Sequence, residues 1–129
     1  MTQLRLWEVR MYRPYSDEIP WDLLEEAGFD AGALTEQDQM RVAKLNGQVI
    51  GAYVLRALSA SSFCLLALVV DAAYRRRGTG RWLLGHAIGL AESKGGRELV
   101  VGGAHAPDFF TNMGFQSRET QRYYAFTPE

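Results

Sequence analysis

Residues 68–81 read Leu68-Val69-Val70-Asp71-Ala72-Ala73-Tyr74-Arg75-Arg76-Arg77-Gly78-Thr79-Gly80-Arg81. The first N–H groups of a helix have no intrahelical partner, and the helix dipole adds positive potential there. Gly78 and Gly80 carry no side chain, so a phosphate can approach those N–H groups closely. Arg75, Arg76, Arg77 and Arg81 add charge-assisted donors, with no acid between Tyr74 and Arg81. Physically this is a cradle for a pyrophosphate. The familiar phosphate motifs do not fit: a dinucleotide fingerprint wants glycine where Leu83 stands, and a P-loop wants Gly-Lys-Ser/Thr where Gly85-His86-Ala87 stands. By spacing alone, a tight turn merely capping a basic helix explains the segment equally well.

The neighbouring residues say what the turn connects. Residues 61–70 are almost wholly apolar in their second half, which suits a strand covered on both faces in mid-sheet. After the turn, Gly80, Leu83, Leu84, Ala87, Ile88 and Ala91 recur at helical spacing as one buried face, and Gly95-Gly96 ends that helix. Leu99, Val100 and Val101 form a second buried strand, so the unit is βαβ and its strands should be parallel. Upstream, Asn46-Gly47 separates apolar runs at 39–46 and 49–57, a type I′ hairpin signal. A strand near residues 3–12 and a short helix from Trp21 to Ala27, stopped near Gly28, precede it. A helix around 106–113 stops at Gly114, and Phe115 to Phe126 closes as an aromatic hairpin. The expected fold class is α/β in a single domain over residues 1–129: a mixed sheet, antiparallel early and parallel later, with helices on its faces.

Composition narrows the function. With 47% hydrophobic residues, the 129-residue chain can bury a core. Fourteen basic and 15 acidic residues leave a net charge of −1, so the global electrostatic footprint of a nucleic-acid or anionic-membrane binder is absent. The balance hides two patches. Eight acids lie between Ser16 and Asp38 with no Lys or Arg among them, opposite in sign to the arginine turn. No apolar run is long enough to cross a bilayer and no signal-peptide core opens the chain, so a cytoplasmic protein is expected. Cys64 stands alone in an apolar strand and reads as core; with only His86 and His105 as imidazoles, no metal is expected.

The arginine–glycine turn resembles motif A of the GNAT superfamily of N-acetyltransferases, Arg/Gln-x-x-Gly-x-Gly/Ala, with Arg75, Gly78 and Gly80 at its signature positions. Ala106-Pro107-Asp108-Phe109-Phe110-Thr111-Asn112-Met113-Gly114-Phe115 is similar to the family's second signature, Ala-x-x-Phe-Tyr-x-x-x-Gly-Phe, and follows at the family's distance. Together they cover roughly residues 63–117. The resemblance implies a GNAT-like, largely antiparallel sheet with one parallel βαβ unit. It also implies an acetyl-CoA-dependent N-acetyltransferase acting by direct attack of a small-molecule or amino-acid-like amine. On it, Arg75, Arg76, Arg77, Gly78, Thr79, Gly80 and Arg81 hold the CoA pyrophosphate, while Leu68, Val69 and Val70 pair with the pantetheine arm. Phe110 also falls in the cofactor site. A bulge turns the N–H of Val70 or a neighbour toward the thioester carbonyl as an oxyanion donor.

Phe110 stands where many members carry a tyrosine proposed to protonate the leaving thiolate, and a phenyl ring cannot donate a proton. Tyr124, Tyr123 or a water would have to substitute. No acid on the central strand before Asp71 offers a base, and Asp71 reads as a turn residue. His105 follows a buried strand at its C-terminal end, where open α/β sheets bind ligands, and would relay a proton; its competing role is to cap the next helix. His86 reads as a surface residue and Trp21 and Trp82 as packing. The vacant tyrosine position keeps a second class open, a non-catalytic acetyl-CoA sensor docking on a partner protein. A homodimer would use the exposed sheet edge or the aromatic tail.

Overall fold

The computed structural model describes residues 8–102, 107–118 and 121–126. The chain runs β1 (Arg10–Tyr12), α1 (Trp21–Glu26), β2 (Gln39–Leu45), β3 (Gln48–Ala57), β4 (Ser62–Val70), α2 (Thr79–Ser93), β5 (Glu98–Gly102), α3 (Pro107–Asn112), β6 (Gln116–Arg118) and β7 (Gln121–Ala125). Asn46 and Gly47, at φ 51° and 81°, supply the two positive angles that the β2–β3 turn demands. Of the strand expected over residues 3–12, Arg10–Tyr12 is strand, and residues 1–7 lie outside the described part.

The strands form one seven-stranded sheet in the order β1-β2-β3-β4-β5-β7-β6. Every neighbouring pair is antiparallel except β4 and β5, which α2 joins as the expected parallel βαβ unit. Both faces of the sheet are covered. On one, Leu83, Leu84, Ala87 and Ala91 of α2 pack with Tyr53, Leu55, Phe63, Leu65 and Leu99. On the other, Leu24 of α1 and Phe29 pack with Val42, Ala52, Val54, Ala67 and Val69. Gly51 lets β3, β4 and α2 close together: a Cβ there would stand 2.7 Å from the Val69 carbonyl oxygen and 3.0 Å from a Leu83 methyl.

The two cores expose an irregularity in β4. Strict alternation would put Phe63, Leu65, Ala67 and Val69 on one face. Instead Phe63 and Leu65 enter the α2 core while Ala67 and Val69 enter the α1 core. Leu55 pairs with Leu65 and Val54 with Ala67, leaving Leu66 without a partner on β3. That β-bulge resets the phase of the strand.

Candidate active site

The bulge stands where β4 and β5 part. Their parallel pairing runs from Ser62↔Glu98 to Leu65↔Val101 and stops, while β4 stays paired with β3 as far as Val70. The Asp71 N–H donates to the Ile50 carbonyl at 2.8 Å. Val70 and Gly51 are therefore a non-hydrogen-bonded pair, so the N–H and C=O of Val70, and by alternation those of Leu68, point away from β3. They face the edge that β5 has left. The bulge expected within the Leu68–Val70 stretch lies just upstream, at Leu66, and the phase reset there is what aims the Leu68 and Val70 amides into the opening.

Beyond β4 the chain enters the arginine–glycine turn. Asp71 accepts from the Ala73 N–H at 2.9 Å, the structural role expected of it. Arg75 Nε donates to the Val70 carbonyl at 2.9 Å, anchoring the first arginine to the strand end. Arg76 at φ 61° and Gly78 at φ 84° both occupy the left-handed region, and glycine adopts it without Cβ strain. Thr79 is buried, and its hydroxyl donates to the Tyr74 carbonyl at 3.0 Å, locking the turn from beneath. Gly78 is the N-cap and offers no side-chain cap. The N–H groups of Thr79, Gly80 and Arg81 are thus the orphan donors of α2.

A cleft of about 870 Å³ joins these parts. Leu65 to Val70 of β4 form its floor, Val101 and Phe110 its β5 side, and Arg75, Arg76, Gly78, Gly80 and Arg81 one end. Leu68, Val69 and Val70 therefore converge on one space with Arg75, Arg76, Gly78, Gly80 and Arg81 of the turn. Arg77 and Thr79 do not line it; Arg77 is exposed and Thr79 acts through the turn. Phe110 is buried edge-on to Phe109 and Phe115, with ring centroids 5.1 and 5.2 Å away. Tyr124 is elsewhere: its ring packs on Phe115 and Phe126, outside the cleft lining. His105 lies outside the described residues. The wall that sequence reasoning did not foresee comes from α1, where Leu23, Glu26 and Ala27 share one face over β4.

His86 is no simple surface residue. It is half-buried beside Trp82, and its Nδ1 lies 2.7 Å from the hydroxyl of fully buried Tyr53. Burial first, and the Arg41 charge second, hold the imidazole pKa below its ordinary value; burial raises that of the Tyr53 phenol. This pair belongs to the packing of α2 on β3.

A mixed sheet with a single parallel pair, opened beside a bulged strand above a glycine-capped helix entry, places the chain in the acetyltransferase class of folds. The model of the acetyltransferase (GNAT) domain matches residues 36–117, more than half of the chain. The chain belongs to the GNAT acetyltransferase family. Among solved structures it is similar to a GNAT family acetyltransferase from Elizabethkingia anophelis with acetyl-CoA bound, at 22% identity and TM-score 0.77, covering 87% of this chain and 78% of that one. An IAA acetyltransferase from Bacillus cereus matches at 26% identity and TM-score 0.75, covering 86% and 79%. N-acetylglutamate synthase from Neisseria gonorrhoeae, complexed with coenzyme A and L-arginine, matches at 17% identity and TM-score 0.82, covering 93% of this chain but 34% of that one. No curated protein matches by sequence. Among the described residues no helix is long and apolar enough to cross a membrane.

Proposed function

We propose that this protein transfers an acetyl group from acetyl-CoA to a primary amine of a small-molecule or amino-acid-like acceptor, in the cytoplasm. The observation that carries the reading is the continuity of the cleft, from the unpaired β4 edge to the orphan N–H groups and arginines at the start of α2. A pyrophosphate fits the donors of Thr79, Gly80 and Arg81 with Arg76 and Arg81 around it. The outward N–H groups of Leu68 and Val70 and the outward carbonyl of Leu68 suit an extended amide-bearing arm, which would add to β4 as a strand adds to an edge.

Of the two outward N–H groups, that of Leu68 is the deeper, closer to where β5 departs. The Leu68 N–H is accordingly the donor we assign to the thioester oxygen as it becomes an oxyanion. The amine attacks the carbonyl carbon, the tetrahedral intermediate collapses by breaking the C–S bond, and the proton shed by the amine balances the one taken up by the thiolate. His105 remains our proposed relay; its substitution by alanine should lower kcat for thiol release while leaving the calorimetric affinity for acetyl-CoA unchanged.

The test is calorimetric titration with acetyl-CoA, followed in the same sample by thiol release over an amine panel. Binding with CoA release supports the transferase. Binding without release on any amine favours the sensor reading, which Phe110 in place of a phenol keeps in view. Absence of binding overturns both.

A further inference from the structure

The cleft is electrically lopsided. One end carries Arg75, Arg76 and Arg81, and the α1 wall carries a single carboxylate, Glu26, beside apolar Leu23 and Ala27. Other acids of the same stretch are already used within the protein. Glu18 pairs with Lys44, Asp38 holds Arg56 through two 2.7 Å contacts, and Asp30 accepts from the Gly32 N–H. Among the described residues, no cation or hydrogen-bond donor engages Glu26, and the sequence offers no Lys or Arg between Arg13 and Arg41 to neutralise it.

We infer that Glu26 selects an acceptor carrying a second positive charge besides the amine that reacts. This rests on the transferase reading of the cleft. An attacking amine must be neutral, so a fixed carboxylate gains nothing lasting from the reacting nitrogen once its proton has left. A second ammonium or guanidinium on the acceptor keeps its charge through the whole transfer. The arginine end is taken up by the CoA pyrophosphate, and Glu26 is the one carboxylate among the residues lining the cleft that such a charge can meet. Leu23 and Ala27 flank Glu26 on the same helix face and would cover the apolar spacer between the two nitrogens. The acceptor class is thus a linear diamine or a longer polyamine-like cation, and an acceptor whose second group is a carboxylate is disfavoured.

The experiment compares linear diamines with amino alcohols of matched length, measuring kcat and KM on the wild type, Glu26→Gln and Glu25→Gln. Glu25 is exposed on the same helix, outside the cleft lining, and controls for the general field of the acidic stretch. Wild type and Glu25→Gln should favour the diamine in kcat/KM by about two- to fivefold, mostly through KM, as expected for one exposed ion pair. Glu26→Gln should lose that preference, the diamine kcat/KM falling to the level of the amino alcohol, while the calorimetric affinity for acetyl-CoA is retained. Equal wild-type use of both series, or a preference that survives Glu26→Gln, overturns the inference and leaves the transferase reading standing. Thiol release from neither series, by protein that releases thiol with other amines of the panel, overturns the inference alone; release with no amine at all takes the transferase reading with it.

Discussion

Gly80 is where the phosphate cradle is tested most sharply. A Cβ built there meets only the Phe109 ring, at 3.6 Å from Cε1 and Cζ, an ordinary contact. Gly80→Ala should therefore fold well, and relieving glycine's entropy cost inside a helix should add about 0.5–1 kcal/mol of stability. Gly80→Val differs because its γ-carbons reach roughly a bond length past the Cβ, either into the Phe109 ring or over the N–H groups that open α2. A hydrogen bond to a charged group is worth about 1.5–3 kcal/mol, so losing one amide–phosphate contact should raise the Kd for acetyl-CoA about 10- to 150-fold. Isothermal titration gives the affinity, and a thermal melt of the free protein shows that both variants are folded. Wild-type affinity in folded Gly80→Val would refute the cradle, and so would equal weakening by Gly80→Ala.

Three further outcomes are expected. Gly51→Ala places its methyl against the Val69 carbonyl and Leu83; it should cost about 1–3 kcal/mol in urea denaturation. Arg76→Ala and Arg81→Ala, at the arginine end of the cleft, should each weaken acetyl-CoA binding about three- to tenfold and flatten its salt dependence, read from titrations at two ionic strengths. Because the His86 pKa is depressed, below about pH 6.5 the unfolded chain takes up a proton that the folded chain refuses. Stability should hold above that pH and fall as pH drops through the window beneath it, and His86→Gln should shrink the fall in urea midpoints.

Much of this architecture is legible locally. Asn46-Gly47 dictates the hairpin, the helical spacing from Gly80 to Ala91 dictates α2, and strand–helix–strand order dictates the parallel pair. The arginine–glycine turn is equally local, since its chemistry depends on residues within a few positions of one another. Tyr124 and His86 show the limit. An aromatic hairpin does not reveal that one tyrosine faces Phe115 and Phe126, and a histidine off the apolar stripe does not reveal a Tyr53 hydroxyl 33 positions away.

The bulge at Leu66 was hidden for a different reason. Phe63 to Val70 is apolar at every position, so hydrophobic alternation carries no phase, and a one-residue slip leaves no mark on the sequence. Only pairing with β3 on one side and the early departure of β5 on the other set which amides face the opening. Glu26 is the same case in charge rather than phase. It is one of eight acids in a run without bases, and only the packing of Leu24 against β4's other face makes it, and not Glu25, a wall of the cleft. The sequence determined which groups exist and which segments are helix, strand or turn, because those follow from neighbours along the chain. Which groups meet across the cleft was decided by long-range burial, whose energy depends on the sum of many contacts and on no single motif.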